Sequence, residues 1–169
     1  HYVDLKGAVE SEHYSELLYR LVEEGRLEPT QEVTLTVTYH DPCYLGRHNS
    51  IYEAPRRLLQ SVPGLTLIEM ASNRENSLCC GGGGGGAWSN VPPQQRLGVL
   101  RIEEALSTGA EVIATACPYC IRMLSEAIRQ LGVQDQLVVR DLAELLLQSV
   151  TIKDEALMTE GVDQEVCHV

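Results

Sequence analysis

Segments patterned for strand and segments patterned for helix take turns along this chain, and that alternation limits the fold more than any other feature. Val33, Leu35, Val37 and Tyr39 interleave with Thr34, Thr36 and Thr38, a period of two in residues that favour the pleated backbone. A helix is expected next from Pro55, because proline fits the first helical position, and Pro63-Gly64 ends it. Ser50 and Glu53 form a capping-box pattern, but a start there would put Pro55 inside the helix, so the later start is preferred. Leu65 to Met70 is an apolar run of strand length. Pro92-Pro93 then opens a helix with Val99, Ile102 and Leu106 on one face and Gly109 as its stop. Val112 to Ala116 reads as a third strand, and Ile121, Leu124, Ile128 and Leu131 repeat at helical spacing up to Gly132. Leu137 to Val139 is the fourth strand and Asp141 to Leu147 the closing helix.

The order β-α-β-α-β-α-β-α implies an α/β, Rossmann-like parallel sheet of about four strands, with right-handed crossovers and helices on both faces. Ahead of it, Leu17, Leu18, Leu21 and Val22 recur at helical spacing between Glu12 and Leu27, an amphipathic helix followed by a Glu-Pro-Thr linker. Three regions result: residues 1–32 as a leading helix and linker at the end of an upstream region, 33–149 as the domain, and 150–169 as an acidic tail. The opening His1-Tyr2, in place of a methionine, points to a segment of a longer protein.

Twenty-four acids against 13 bases give the 169 residues a formal net charge of −11, which disfavours nucleic acid or an anionic membrane as partner. The acidity belongs to the flanks. Residues 1–32 hold eight acids and three bases and residues 150–169 five acids and one Lys, whereas the region between has eleven acids and nine bases, all Arg. No apolar run reaches the roughly 18 residues needed to span a bilayer, and no secretory signal pattern opens the chain. The expected location is cytoplasmic, with any contact to the cytoplasmic face of a membrane made by segments upstream.

Six cysteines without a secretory signal are expected to be thiols, which points to metal binding or redox catalysis and away from a disulfide framework. Ligands of an open parallel sheet bind beyond the carboxyl ends of its strands. Three such ends lead to Cys43, to Cys79-Cys80, and to Cys117-Pro118-Tyr119-Cys120, so five thiols would converge on one crevice. Thiolates suit zinc and iron–sulfur clusters. Four would satisfy a tetrahedral zinc or a cubane, and the fifth is surplus to both, so the count itself favours a less usual cluster. Six glycines, Gly81 to Gly86, would let backbone N–H groups approach an inorganic core, Gly81 and Gly82 foremost. Helix N-termini near Cys43 and Cys120, together with Arg47 and Arg74, could offset thiolate charge.

One Cys, a gap in the thirties, Cys-Cys-Gly, a second such gap and C-x-x-C is the pattern of the cysteine-rich CCG domain family, which residues 33–149 resemble through Cys43, Cys79, Cys80, Gly81, Cys117 and Cys120. The family includes components of heterodisulfide reductase, the glycolate oxidase and lactate utilisation iron–sulfur proteins, and a component of the anaerobic glycerol-3-phosphate dehydrogenase. His40 to Asn49 and Asn73 to Gly84 look most like a further group, the heterodisulfide-reductase-related oxidoreductases linked to electron-transfer flavoprotein. The resemblance implies an oxidoreductase component with a noncubane [4Fe-4S] cluster on all five cysteines, working in electron transfer or disulfide reduction. It also implies redox partners: a ferredoxin-like module, a flavoprotein, and in many members a second copy of the domain. Some members hold zinc in one copy.

Other readings stay open on the residues alone. The five cysteines could hold a structural zinc without redox work. Cys117-Pro118-Tyr119-Cys120 also matches a glutaredoxin-like dithiol site at a helix N-terminus. The glycine run satisfies G-x-G-x-x-G trivially but lacks the strand before it that a dinucleotide site needs. His40 and His48 are read as locally hydrogen-bonded, Asp41 as a brace for the turn into Cys43, Trp88 and Tyr119 as pocket lining or packing, and Cys167 as a bystander.

Overall fold

The computed structural model describes residues 11–92 and 95–151. Four strands, β1 (Leu35–Tyr39), β2 (Leu65–Leu67), β3 (Val112–Thr115) and β4 (Val138–Asp141), form one sheet in the order β2-β1-β3-β4. Every pairing is parallel. Five helices, α1 (Tyr14–Glu23), α2 (Glu53–Gln60), α3 (Leu97–Ser107), α4 (Pro118–Leu131) and α5 (Leu142–Ser149), complete the α/β architecture expected from the alternation.

Pleating sends alternate residues of β3 to opposite cores. Val112 and Ala114 join Val37 and Tyr39 under α2 and α5, with Leu58, Leu59, Leu142 and Leu145, while Ile113 faces α3 and α4 with Ile102, Leu124 and Ile128. Each fully buried Leu or Ile contributes about 1.5–3 kcal/mol of hydrophobic stabilisation. Because β1 is an inner strand, its threonine face is covered too: Thr38 is as buried as Val37 and Tyr39. The alternation in the sequence thus marks two buried faces of different polarity.

Local chemistry sets most of the boundaries. Asp141 caps α5, accepting the Ala143 N–H at 2.8 Å while Glu144 reaches back to the Asp141 N–H, and His13 with Glu16 forms the same reciprocal cap on α1. Pro118 opens α4, and Gly132, at φ 67°, closes it in the left-handed conformation. The second helix starts at Glu53, two residues before Pro55, which keeps the proline in the first turn, where no intrahelical N–H bond is lost. Two expectations were too generous. Helix α3 begins at Leu97, four residues beyond Pro93, because the Gln95 N–H closes a turn on the Pro92 carbonyl and Arg96 is extended. Strand β2 stops at Leu67: after the Ile68 N–H reaches the Val37 carbonyl, the chain leaves the sheet and buries Met70 with the α3/α4 core.

Helix α1 lies on the α2 face, where Tyr14, Leu18, Tyr19 and Val22 pack against the core. The Tyr14 hydroxyl donates to Asp141 at 2.9 Å, and the N–H groups of Thr30 and Gln31 reach the Ser149 carbonyl. Nearly all of the tail after Val150, Cys167 included, lies outside the described residues.

Candidate metal centre

The strand order reverses direction between β1 and β3, the place where open α/β sheets form their crevice. Those two strands supply Cys43 and the pair Cys117 and Cys120. The His40 N–H still pairs with the Ala114 carbonyl at 2.9 Å, after which the chain turns through Pro42, whose carbonyl accepts from Gly46. Cys117 caps α4 and Cys120 lies in its first turn. The third contribution arrives less directly. Cys79-Cys80 follows β2 only after a long excursion, held in place by the Asn73 amide on the Met70 carbonyl and by Glu104 on the Ser72 N–H.

Cys43, Cys80, Cys117 and Cys120 line one cavity of about 280 Å³, with Gly82 to Gly85 and the rings of Tyr44, Trp88 and Tyr119. Cys79 opens instead on an adjoining pocket that it shares with Cys43, Arg47 and Arg74. Among the described residues, all five cysteines are free thiols. The glycine run curls tightly beneath them. Gly81 has φ 84°, its N–H points at the Cys79 sulfur at 3.3 Å, and a Cβ on Gly86 would stand 2.1 Å from the Gly81 carbonyl oxygen. A flexible linker would not pack so closely.

The thiols act on one another as a set. Cys80 is driven far below its ordinary value because Cys120 and Cys79 donate hydrogen bonds to its sulfur, with help from His40 and the Gly82 N–H. The donors move the other way: Cys79 is raised by its bond to Cys80, and Cys120 by its bonds to Cys117 and Cys80, with burial adding to both. Cys117 falls to about 6 because it accepts from Cys120 and from N–H groups at the start of α4. Without metal the cavity therefore holds thiolates at Cys80 and Cys117, hydrogen-bonded by neighbouring thiols.

Behind the cysteines stand two buried arginines whose roles sequence pattern did not reveal. Arg56, from α2, grips both Asp41 oxygens at 2.7 and 2.9 Å and also binds Glu69, bracing the turn that presents Cys43. Asp41 is thus the expected brace, through a partner 15 residues away, and it also accepts the Arg74 N–H at 2.9 Å. Arg101, from α3, donates to His40 Nδ1 at 3.1 Å. His40 is correspondingly not a local turn histidine: it is buried beside Cys80 and Cys120. His48 stays at the surface against the Tyr44 ring.

The charges expected to answer the thiolates are mostly engaged elsewhere. Arg74 pairs with Glu53 and Glu69, and Arg47 donates to the carbonyls of Glu75 and Ser77. Trp88 and Tyr119, 74% and 58% exposed, line the mouth of the cavity and are not core packing; Arg122 lies 5.2 Å over the Trp88 ring. Among the described residues no helix is long and apolar enough to cross a membrane.

The donor set fits a soft metal group, since thiols dominate it and backbone N–H groups face the sulfurs. Comparison with known proteins agrees. Over 149 residues the chain is 42% identical to a probable iron–sulfur-binding oxidoreductase, FadF, of Bacillus subtilis, covering 88% of this chain and 21% of that protein. It is 34% identical over 156 residues to the EtfAB:quinone oxidoreductase of Syntrophomonas wolfei (88% and 22%). It is 35% identical over 138 residues to one component of the dihydromethanophenazine:CoB–CoM heterodisulfide reductase of Methanosarcina barkeri (82% and 33%). The chain thus spans a fifth to a third of the length of these relatives. Residues 37–125, which contain all five of these cysteines, match the family model described as CCG, a cysteine-rich domain, and the chain belongs to that family.

Proposed function

We propose that this chain is the cluster-binding domain of a larger oxidoreductase, transferring electrons or reducing a disulfide through a noncubane [4Fe-4S] cluster held by Cys43, Cys79, Cys80, Cys117 and Cys120. The observation that carries the reading is that five thiols arrive at the β1/β3 crevice, Cys43, Cys80, Cys117 and Cys120 lining one cavity and Cys79 hydrogen-bonded to Cys80 beside it, one more than a zinc or a cubane needs. Bound there, the cluster would supply one-electron transfer.

The chain's own residues would bind and tune it. Cys80 and Cys117 offer thiolates at neutral pH, while Cys79 and Cys120 give up protons on loading. The Gly81 and Gly82 N–H groups aim at the Cys79 and Cys80 sulfurs, and Arg56 with Asp41 holds the Cys43 turn. Tyr44, Trp88 and Tyr119 form an apolar rim where a redox partner would approach. The relatives' names favour a flavoprotein, a quinone-linked module or a heterodisulfide-reductase component as that partner. A cytoplasmic setting, on the inner face of a membrane where other segments provide an anchor, suits free thiols.

Anaerobic purification followed by iron, sulfide and zinc analysis tests the reading. About four irons and four sulfides per chain are expected. A colourless protein with one zinc and no sulfide would contradict it and return the site to a structural role.

A further inference from the structure

A ring nitrogen of His40 and the sulfurs of Cys80 and Cys120 all lie within 4.8 Å of one another, and all three residues are buried. Such a trio looks at first like three ligands of one ion. The other side of the imidazole decides the matter. Arg101 Nε donates to His40 Nδ1 at 3.1 Å, and a guanidinium has only donors and keeps its proton. Nδ1 must then present its lone pair, so the hydrogen of the neutral ring sits on Nε2. A ligating histidine needs the opposite arrangement: its lone pair on the metal, and an N–H on the far nitrogen directed at a carboxylate or carbonyl. With Arg101 in place, that tautomer would set one N–H against another.

Neither residue is free to turn away. Arg101 is fully buried, and its Nη1 donates to the Ser72 carbonyl at 2.7 Å and to Glu104 at 2.6 Å. The His40 backbone is pinned between the central strands, its N–H on the Ala114 carbonyl and its own carbonyl accepting from the Thr115 hydroxyl at 3.2 Å. The chain Glu104–Arg101–His40–Cys80 therefore runs from α3 to the cysteines through side chains that each have a fixed partner.

We propose that Arg101 is a positioning residue of the metal centre: by occupying Nδ1 it fixes His40 as an N–H donor to the Cys80 sulfur, so that His40 tunes the reduction potential and is not a ligand. The inference rests on Cys80 being one of the thiolates that hold a cluster. A hydrogen bond to a ligand sulfur is stronger when the sulfur is more electron-rich, so it favours the reduced state and raises the potential. The guanidinium acts through the imidazole and touches no cluster ligand itself.

The test is a redox titration, followed by electron paramagnetic resonance, of the anaerobically purified protein and its variants, each first matched for iron and sulfide. His40→Leu should lower the midpoint potential by the equivalent of about tenfold in the reduction equilibrium, ~59 mV for one electron. Arg101→Met should lower it similarly, Arg101→Lys should recover most of the loss, and Arg101→Met should add little in the His40→Leu background. If Arg101→Met does not fold because Glu104 is left unpaired, Arg101→Met with Glu104→Gln removes the orphaned charge. Unchanged potentials at wild-type iron content would overturn the inference, as would a directly coordinated nitrogen in pulsed resonance of ¹⁵N-histidine-labelled protein. If the wild-type protein contains no iron or sulfide, the cluster reading has failed instead. Ring ¹⁵N shifts of the metal-free protein still decide the tautomer: Nε2–H in the wild type, and a mixture in Arg101→Met, are expected.

Discussion

Cys80 is the sulfur on which the others depend, because two thiols and an imidazole direct hydrogen bonds at it. That dependence has consequences for reactivity. In the reduced, metal-free protein Cys117, held at about 6, should be the first of the five to be alkylated at pH 7, with a rate that falls by half near pH 6. Time-resolved iodoacetamide labelling with site mapping checks this, and a Cys79 reacting as fast as Cys117 would contradict it. The glycines divide just as sharply. Gly86→Ala should displace the loop and cut iron incorporation severely, because its Cβ meets the Gly81 carbonyl, whereas Gly83→Ala, with nothing within 4 Å, should load like the wild type. Metal analysis of the two variants side by side provides the measurement. At this scale the sequence announces the cysteines through their spacing and the glycines through their run. It hides His40 and Arg101, since their meeting spans 61 residues and Arg101 stands in a helix between Leu100 and Ile102 with nothing local to mark it as buried. Glu104, at the i+3 position, was the one available hint of a paired arginine.

Elements carry the cysteines to the crevice, and the Arg56–Asp41 pair ties α2 to the end of β1. Both side chains are almost fully buried, at 2% and 3% exposure, so removing Arg56 leaves Asp41 as an uncompensated buried charge, whereas Arg56 keeps Glu69 as a second partner. Arg56→Met should cost about 3–5 kcal/mol, read as a lower urea midpoint with an unchanged slope. A loss under about 1 kcal/mol would mean that Asp41 finds another partner. Strands and helices were legible because each one's period, cap or stop is local: the β1 alternation, Pro118 at the head of α4, Gly132 at its end. The course of residues 68–80 was not, because no periodic pattern governs it; it is set by contacts with α3 through Ser72 and Arg101. The expected start of α3 failed for a similar reason. A proline pair permits a helix start but does not compel one, and here the Gln95 N–H closes a turn on the Pro92 carbonyl ahead of the helix.

Across the whole molecule, the four-stranded parallel order places its switch point where three chain segments deliver thiols, and α2 and α3, on opposite faces of the sheet, supply the arginines that brace those segments. Acid should loosen that support. Burial raises the Glu104 carboxyl, but the Ser72 N–H and hydroxyl and the Arg101 guanidinium outweigh it and hold the group below its usual 4.5. A depressed carboxylate contributes stability above its unfolded pKa and loses it as pH falls through the folded value. The stability gap between the wild type and Glu104→Gln, measured by urea unfolding, should therefore be full at pH 7 and shrink below about pH 4.5; a gap that widens in acid would contradict the assignment. The sequence also carried the overall charge plan, with the acids in the flanks and a nearly neutral domain between them. What it could not convey is that the domain's arginines serve mainly to hold backbone and carboxylates in place. Whether all five sulfurs are ligands is read out by alkylation of the cluster-loaded protein under native, anaerobic conditions, mapped cysteine by cysteine. Cys43, Cys79, Cys80, Cys117 and Cys120 are all expected to be protected as long as the iron is retained. Free modification of any one of the five with full iron retained would contradict it.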